Sequence, residues 1–382
     1  MPALRVLHVA SFSGNIGDNA NHMGFRPWFE SLAGRPVAWT NLEIREFYWK
    51  ERQWDAGFVA LANAHDLLVI GGGNYFELWV ENSPTGTSIA IAPELFDAIR
   101  VPVYFNALGV DPGQGVPQSS LSRFRTFLDK LLANERYLVS VRNDGAACTL
   151  QNYLGETYAR AVARVPDAGF FVPAPAAAAK PPGTLRIGIN VASDMPEARF
   201  RNFGSDATAG FAREMATAIM TLAAAQPASQ FVLFPHIFRD IDIIFQVIAQ
   251  LGDRLRRTRL AVAPYGSGDA AALAALSLYA SCDAVLAMRF HANVCPLGMG
   301  VQTLGLNCYP QIANLYRELE QPGRAIDVAS PGFAATLAAA AEAALTRPET
   351  FPGTPAAARQ MVEALRREFE PQLTRWMRAT CV

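Results

Sequence analysis

Arg289 and His291 stand two residues apart directly after the apolar run 284–288, at the start of a predicted helix over residues 292–299. Arginine presents a rigid cationic fork that suits a carboxylate or a phosphate. Histidine titrates near neutral pH, so it can donate or accept a proton. Side chains that follow the strands of a parallel sheet gather with helix N-termini at its carboxyl edge. We therefore predict that these two residues are catalytic and that both contact an acidic substrate.

Arg142 is a second candidate for an acidic ligand, because it ends the apolar run 137–141 and Asn143 follows it. A buried cation requires a partner of opposite charge. That partner is either a bound carboxylate or phosphate, or one of the neighbouring aspartates, Asp144 and Asp167. The sequence leaves both interpretations open.

His236 follows the apolar run 230–234, and we include it among the residues that contact the acidic substrate. A helix cap or a satisfied core histidine would occupy the same place in the chain. Asp240 and Asp242 come next and could gather with His236 round a metal ion, but two aspartates also commonly open a helix. We predict no metal site.

Two glycine-bearing loops also follow apolar runs, one over residues 11–18 and one after residue 70. Glycine leaves backbone N–H groups open to an anion or to the face of a sugar. Ordinary turns with an aspartate cap, or a close crossing of strand and helix, use the same residue types. The residues that we expect to face a ligand are Asn15, Gly17, Asp18, Gly71, Gly72, Gly73, Asn74 and Asn143.

The elements that must position these residues are short apolar runs alternating with segments of helical period, a pattern typical of parallel α/β sheets. The alternation stops in the proline- and alanine-rich stretch 173–183 and then restarts. We therefore predict two Rossmann-like doubly wound domains. The predicted organisation is an N-terminal domain over 1–175, a linker over 176–184, a C-terminal domain over 185–350 and a helix over 354–382 that packs back across the domains.

Composition excludes several classes of protein. The formal net charge is −1, from 33 Lys+Arg and 34 Asp+Glu, so no overall field attracts a nucleic acid. Hydrophobic residues make up 51% of the sequence, but no apolar stretch is long enough to cross a membrane. The five cysteines show no CxxC spacing and no secretion signal is visible, so we expect a cytoplasmic protein with reduced thiols.

Taken together and in this order, the motifs resemble the polysaccharide pyruvyl transferase family over about residues 4 to 320. The motifs are the loop Gly14–Asp18, the glycines Gly71–Gly73, the strand end Ser140–Arg142, the pair Pro166–Asp167 and the stretch Arg289–Ala292. The chain departs from the family pattern in two places. Asn143 follows Arg142 where the family often has Asp, and Ile312 stands three residues after Tyr309 where the family often has Lys.

The resemblance implies two Rossmann-like domains facing across a cleft, as in GT-B glycosyltransferases, with the acceptor on the N-terminal side and the donor on the C-terminal side. It implies a transferase of polysaccharide biosynthesis, for example of exopolysaccharide. The enzyme would move the enolpyruvyl group of phosphoenolpyruvate onto a sugar and form a pyruvate ketal. The donor-binding residues would be Arg142, Arg289, His291, His236 and Tyr309.

The resemblance also implies partners. Phosphoenolpyruvate would serve as co-substrate, with no cofactor and no metal. The acceptor would be a sugar or a lipid-linked oligosaccharide, which allows peripheral membrane association through the acceptor. Two alternatives stay open: a GT-B-like glycosyltransferase whose glycine loops hold the diphosphate of a sugar nucleotide, and a non-catalytic sugar-binding relative.

Overall fold

Two parallel β-sheets, each of six strands, organise the chain in the computed structural model, which describes residues 2–381. The first sheet belongs to unit 1 and the second to unit 2. Unit 1 comprises the described residues of Met1–Phe12, Gly24–Ala168 and Glu363–Val382, and unit 2 comprises Ser13–Met23 and Gly169–Val362. The predicted α/β class with two Rossmann-like, doubly wound sheets is confirmed.

The elements of the first part of the chain alternate between strand and helix. In order they are β1 (Leu4–Ala10), α1 (Ile16–Ala33), β2 (Val37–Glu43), α2 (Arg45–Tyr48), α3 (Ala56–Asn63), β3 (Leu67–Gly71), β4 (Phe76–Glu77), α4 (Pro93–Asp97), β5 (Val103–Leu108), β6 (Val110–Asp111), α5 (Gln118–Leu132), β7 (Tyr137–Val141), α6 (Ala146–Leu154), α7 (Glu156–Ala161) and β8 (Ala163–Arg164). The sheet has the order β2-β1-β3-β5-β7-β8, and β4 pairs with β6 in a separate two-stranded ladder.

The central strands of unit 1 are buried along their whole length. All residues of β3, β5 and β7 are buried, whereas the edge strand β2 is largely exposed or half-buried. Strands covered on both faces have near-continuous apolar sequences, which is why these runs are recognisable in the sequence. The strand order turns at β1, whose neighbours β2 and β3 lie on opposite sides, so the switch point of this sheet lies between β1 and β3.

The second part of the chain repeats the alternation. Its elements are β9 (Leu185–Asn190), α8 (Pro196–Arg199), α9 (Ala207–Ala225), β10 (Ser229–Leu233), α10 (Asp240–Ala249), α11 (Asp253–Thr258), β11 (Leu260–Val262), α12 (Gly268–Ala280), β12 (Ala284–Ala287), α13 (Phe290–Gly298), β13 (Gln302–Asn307), α14 (Pro310–Glu318), β14 (Ala325–Asp327), α15 (Phe333–Thr346) and α16 (Pro355–Thr380). The sheet order is β11-β10-β9-β12-β13-β14. Its switch point lies between β9 and β12, because β10 and β11 continue on one side and β13 and β14 on the other.

The proline-rich stretch 173–183 has no regular secondary structure and belongs to unit 2. Its backbone is nevertheless held in place. The Ala178 N–H donates to the Ser277 carbonyl at 2.9 Å, and the Lys180 ammonium pairs with Asp283 at 2.5 Å. These contacts attach the stretch to α12 and to the segment between α12 and β12.

The C-terminal part of α16 completes the core of unit 1. Phe369, Leu373, Trp376 and Met377 are buried in one cluster with residues of β1, α1, β3 and β5. α16 has 26 residues, but its polar face carries many charges. Within residues 2–381, no helix combines the length and the apolar composition that a membrane span requires.

Candidate functional site

The carboxyl edge of the sheet of unit 2 joins residues from three neighbouring strands. Asn190 ends β9 and is fully buried. Its Nδ2 donates to the Phe234 carbonyl at 2.9 Å, and its Oδ1 accepts the backbone N–H of Arg289 at 2.9 Å. Asn190 therefore ties the loops that follow β10 and β12 to β9. This edge, at the switch point, is where open parallel sheets bind ligands.

Arg289 is the N-cap residue of α13, and two aspartates hold its guanidinium. Nε donates to Asp240 Oδ2 at 2.8 Å, while Nη2 donates to Asp240 Oδ1 and, at 2.7 Å, to Asp194 Oδ1. Asp240 is fully buried and also accepts the backbone N–H groups of His236 and Ile237. Burial would lower the pKa of Arg289, but the two carboxylates raise it above its ordinary value. Arg289 therefore stays a cation.

His291 lies in the first turn of α13, where it meets the first turn of α1. Its Nδ1 is 3.9 Å from Asp18 Oδ1. Gly17 permits this approach, because a Cβ on Gly17 would lie only 2.7 Å from Nδ1 of His291. Asn15 orders the same turn, since its Oδ1 accepts the Gly17 N–H at 3.0 Å. Unit 2 thus brings Asn15, Gly17, Asp18 and His291 together.

His236 is buried beside this turn, and its carbonyl accepts the N–H of Ile16 at 3.4 Å. Its Nε2 lies 2.8 Å from the Tyr279 hydroxyl, and its Nδ1 has no hydrogen-bond partner in the described part of the chain. Burial, with the charges of Arg289 and His291 adding to it, lowers the pKa of His236 well below its ordinary value. The ring is therefore neutral. His236, Tyr279 and His291 line a small cavity.

Tyr309 is the N-cap residue of α14, and a cation covers its ring. The guanidinium carbon of Arg199 lies 5.4 Å from the ring centroid. Arg199 also contacts Asp194, with Nη2 at 3.3 Å from Oδ2. Asp194 also contacts Arg289, so its carboxylate connects the two guanidinium groups of Arg199 and Arg289. Arg199, which covers the Tyr309 ring, belongs to α8.

Asp240 and Asp242 do not share a site. Asp240 is buried against Arg289, whereas Asp242 is exposed on α10. Among residues 2–381, no group of three or more His, Cys, Asp and Glu side chains is placed to hold a metal ion. Of the two interpretations that the sequence left open, the opening of a helix describes these aspartates.

The three glycines after residue 70 lie at the switch point of unit 1, where β3 ends. Gly71 and Gly72 have φ values of +139° and +85°, which disfavour any residue with a Cβ. A Cβ on Gly71 would collide with the Asn106 carbonyl, and a Cβ on Gly73 would lie 2.5 Å from the Tyr75 ring. Close packing explains why these positions are glycine, and their contact with a ligand stays a prediction.

Arg142 follows β7 and is buried with two aspartates. Its Nε donates to Asp144 Oδ2 at 2.7 Å, and its Nη1 lies 3.5 Å from Asp167 Oδ2. Asn143 holds the same loop, since its Oδ1 accepts the Asp167 N–H at 2.9 Å. Both aspartates that the sequence offered as partners therefore pair with Arg142 inside unit 1. Its contact with an acidic ligand stays a prediction.

Glu77 and Asp111 form a pair of carboxyl groups that sequence reasoning did not identify. They stand directly opposite each other in the β4–β6 ladder. The Ser88 hydroxyl donates to Glu77 Oε2, and Asn74 Nδ2 donates to Asp111 Oδ2 at 2.8 Å. Burial raises the pKa of Glu77 to about 7, with the Ser88 hydrogen bond opposing the rise and the Asp111 charge adding to it. Glu77 therefore titrates in the range of a general acid or base.

The Glu77–Asp111 pair and the ion pairs of Arg142 adjoin each other at Gly109. Asn74 Oδ1, Arg142 Nη2 and Asp144 Oδ2 surround the space that a Cβ on Gly109 would fill. The amide, the guanidinium and the carboxylate therefore belong to one continuous polar cluster of unit 1. Asn74 joins that cluster from the glycine loop.

The predicted site residues fall into two groups, one in each unit. Unit 2 holds Asn15, Gly17, Asp18, His236, Arg289, His291 and Tyr309, and unit 1 holds Gly71, Gly72, Gly73, Asn74, Arg142 and Asn143. Four charged residues of these groups are absent from the sequence-based prediction: Asp194 and Arg199, which lie between β9 and the end of α8, and Glu77 and Asp111, which lie in β4 and β6. None of them directly follows a recognisable apolar run, so the sequence offered no signal for them.

A family model described as polysaccharide pyruvyl transferase matches residues 13–308. The matched interval contains every predicted site residue of unit 2 except Tyr309, which follows it by one position. It also contains the glycine loop and Arg142 of unit 1. No curated relative matches the chain.

Solved structures share the fold at low identity. A putative UDP-N-acetylglucosamine 2-epimerase from Listeria monocytogenes is 12% identical, with a TM-score of 0.51 over 97% of this chain and 98% of that chain. HepE from Anabaena, in complex with UDP and glucose, is 12% identical, with a TM-score of 0.52 over 99% of each chain. MnaA from S. aureus, solved with UDP, is 8% identical, with a TM-score of 0.53 over 97% of each chain. The likeness confirms the predicted GT-B-like fold.

Proposed function

Because the chain belongs to the polysaccharide pyruvyl transferase family, we propose that it transfers the pyruvyl group of phosphoenolpyruvate to a sugar and forms a cyclic pyruvate ketal. Membership of the family makes the chain a transferase. The observation that carries the finer proposal is the placement of the Arg289 cation and of His291 two residues apart at the start of α13, at the switch point of unit 2.

The groups around α13 suit a donor that carries both a carboxylate and a phosphate. Arg289 supplies a cationic fork that is anchored on Asp240 and still has 13% of its side chain exposed. His236 adds a neutral ring whose Nδ1 has no hydrogen-bond partner among residues 2–381. Tyr309 adds a phenol beside Arg199. We also retain Arg142 as a proposed ligand of an acidic group of the donor.

The proposed reaction needs one proton donor and two hydroxyl groups. His291 donates a proton to the methylene carbon of phosphoenolpyruvate, which becomes a methyl group and leaves the neighbouring carbon electron-poor. One sugar hydroxyl adds to that carbon and returns its proton to His291. The bond from carbon to the phosphate oxygen breaks with its electron pair on phosphate. A second hydroxyl closes the ketal, and its proton leaves with inorganic phosphate, so the scheme needs no metal and no further cofactor.

The proposed acceptor is a sugar of a polysaccharide or of a glycan precursor. Its hydroxyl groups suit the amide and carboxyl groups of unit 1, of which Asn74, Asp111 and Glu77 form one cluster. The lipid-linked form of the acceptor, membrane association through it, exopolysaccharide as the product and a cytoplasmic location stay predictions. The acceptor loops over Asn15–Asp18 and Gly71–Asn74 likewise stay predictions.

Ligand-dependent stabilisation distinguishes this proposal from the glycosyltransferase alternative. The observation that favours that alternative is the UDP bound in two of the similar solved structures. A ligand that binds only the folded chain adds about 2.7 kcal/mol to its stability at a hundred times Kd. We expect phosphoenolpyruvate to raise the melting temperature and UDP-sugars to leave it unchanged. Stabilisation by UDP-sugars alone would favour the glycosyltransferase, and stabilisation by a free sugar alone would favour the non-catalytic relative.

Replacing His291 tests its role in proton transfer. In the variant His291→Gln, we expect phosphoenolpyruvate affinity to stay within a few-fold, because Arg289 is unchanged. Phosphate release in the presence of a glycan acceptor should fall by about 10²-fold or more, the scale of lost acid–base catalysis. His65→Gln is the matched control, since His65 lies in unit 1 and its ring bonds to the Leu61 carbonyl and the Thr40 hydroxyl, both outside α13. Turnover of His291→Gln equal to that control would remove His291 from the mechanism.

A further inference from the structure

Two arginines of unit 2 share one carboxylate. Oδ1 of Asp194 accepts Nη2 of Arg289 at 2.7 Å, and its Oδ2 accepts Nη2 of Arg199 at 3.3 Å. The two arginine side chains are only 13% and 8% exposed, whereas Asp194 is 20% exposed. A carboxylate thus lies between two nearly buried guanidinium groups. A bound carboxylate or phosphate would satisfy the same two forks.

The two aspartates of this group are held very differently. Asp240 has no exposed surface, contacts Arg289 with both oxygens and also accepts two backbone N–H groups. The carboxylate of Asp194 is bonded only to the two arginines in the described part of the chain. Burial would raise the pKa of Asp194, but Arg289 and Arg199 together lower it below its ordinary value. Asp194 is therefore an ionised group with exchangeable partners, while Asp240 is a permanent counterion.

The backbone next to Asp194 is in an unfavourable conformation. Met195 has φ +56° and ψ +52°, the left-handed region that residues with a Cβ rarely occupy. Asp194 and Arg199 both belong to this short stretch, which ends in the four-residue helix α8. The conformation that brings Asp194 to the two arginines therefore includes one unfavourable residue.

We propose that Arg199 is a second ligand of the donor's anionic group, and that Asp194 occupies the position of that group until the donor displaces it. The positive charges of Arg289 and Arg199 are neutralised by the negative charges of Asp240 and Asp194. Displacement of Asp194 therefore leaves one net positive charge for the incoming anion. The identity of the anion as phosphoenolpyruvate rests on the proposed function. The binding of a simple oxyanion at this place does not.

The test measures binding of inorganic phosphate and of phosphoenolpyruvate to the full chain by titration calorimetry at one low salt concentration. Asp194→Asn should bind both ligands roughly tenfold more tightly than the unaltered chain, because the competing charge is gone while an oxygen acceptor stays. Arg199→Gln should bind both roughly tenfold more weakly, and Arg199→Lys should restore part of the loss. Asp206→Asn and Arg201→Gln are matched controls, because both residues are exposed in the 3₁₀-helical stretch 201–206 that follows α8.

Loss of a purely structural contact lowers stability but does not tighten the binding of an anion. If the two arginines bound no anion, Asp194→Asn would melt earlier and bind phosphate no better, and that result would overturn the proposal. Should Arg199→Gln fail to fold, the sign of the Asp194→Asn change decides alone. The expected phosphate pattern without any pyruvyl transfer would reject the proposed function and leave this proposal standing.

Discussion

Glu77 links the protonation of a single carboxyl group to the stability of unit 1. In the unfolded chain its pKa is near 4.5, and burial raises it to about 7 in the fold. Between these values the folded chain binds more protons than the unfolded chain. The contribution of Glu77 to stability is therefore complete below about pH 4.5 and is lost as pH rises through about 7.

The variant Glu77→Gln should remove this pH dependence, because glutamine resembles the protonated carboxyl group at every pH. We expect its free energy of unfolding, relative to the unaltered chain, to rise between pH 5 and pH 8 by roughly 1 to 3 kcal/mol. Urea denaturation at several pH values measures the difference. Glu81→Gln is the control, since Glu81 is exposed. Parallel pH curves for Glu77→Gln and the unaltered chain would show that Glu77 is ionised in the fold at neutral pH.

Residue types at strand ends are the part of the candidate site that the sequence indicates. Arg142, His236, Arg289 and His291 are candidates on this ground, since each follows an apolar run directly or closely, and their roles stay predictions. Asp194 could not be identified, because it lies 95 residues from Arg289 and no spacing rule relates the two. Only the pairing of β9 with β12 brings their loops together.

At the scale of elements, the first turn of α1 packs directly on α13. A Cβ on Gly17 would lie 2.6 Å from the Cβ of His291, so the two helices contact each other here without a side chain on Gly17. An alanine would favour the helix by about 1 kcal/mol through its higher propensity, but the collision must move His291 or the turn. The geometry around His291 therefore depends on the absence of one methyl group.

The variant Gly17→Ala should lower turnover by tenfold or more, because displacement of the proposed acid–base group of His291 by about 1 Å would have an effect of this size. Its melting temperature should also fall in spite of the better helix propensity. Gly252→Ala is the matched control, since nothing lies within 4 Å of a Cβ placed there. Both variants are compared in phosphate release and in thermal melts. A Gly17→Ala enzyme as active as Gly252→Ala would mean that His291 tolerates the shift.

Elements with a strong periodic pattern were predicted closely, and elements without one were missed. The apolar run 137–141 has the bounds observed for β7, and the run 284–288 extends only one residue beyond β12. α15 was missed because alanine fills so many of its positions that no apolar stripe stands out. β14 and the β4–β6 pair are only three and two residues long, which is too short for any period to show.

At the scale of the whole molecule, each unit is assembled from segments that are distant in sequence. Residues 13–23 belong to unit 2 although the strand before them belongs to unit 1, and the last part of α16 belongs to unit 1. Composition and periodicity locate strands along the chain but do not report which helix covers which sheet. The grouping depends on tertiary packing, which long-range burial decides.

The tryptophans make unit 1 separately observable. All six lie within its segments, and they are Trp28, Trp39, Trp49, Trp54, Trp79 and Trp376. Tryptophan fluorescence therefore reports on the unfolding of this unit, whereas far-ultraviolet circular dichroism reports on both. This difference allows the contribution of α16 to unit 1 to be measured in the full chain.

Leu373 of α16 is fully buried in the core cluster of unit 1, where it packs with Phe369, Trp376 and residues of the sheet. Leu373→Ala should lower the free energy of unfolding of unit 1 by about 2 to 5 kcal/mol, because the removed atoms leave a cavity and lose their burial. The urea midpoint of the fluorescence transition should fall accordingly. Leu132→Ala is the control, since Leu132 is 37% exposed at the end of α5 and its loss should cost within about 0.5 kcal/mol. Equal midpoints for the two variants would mean that the packing of Leu373 does not stabilise unit 1.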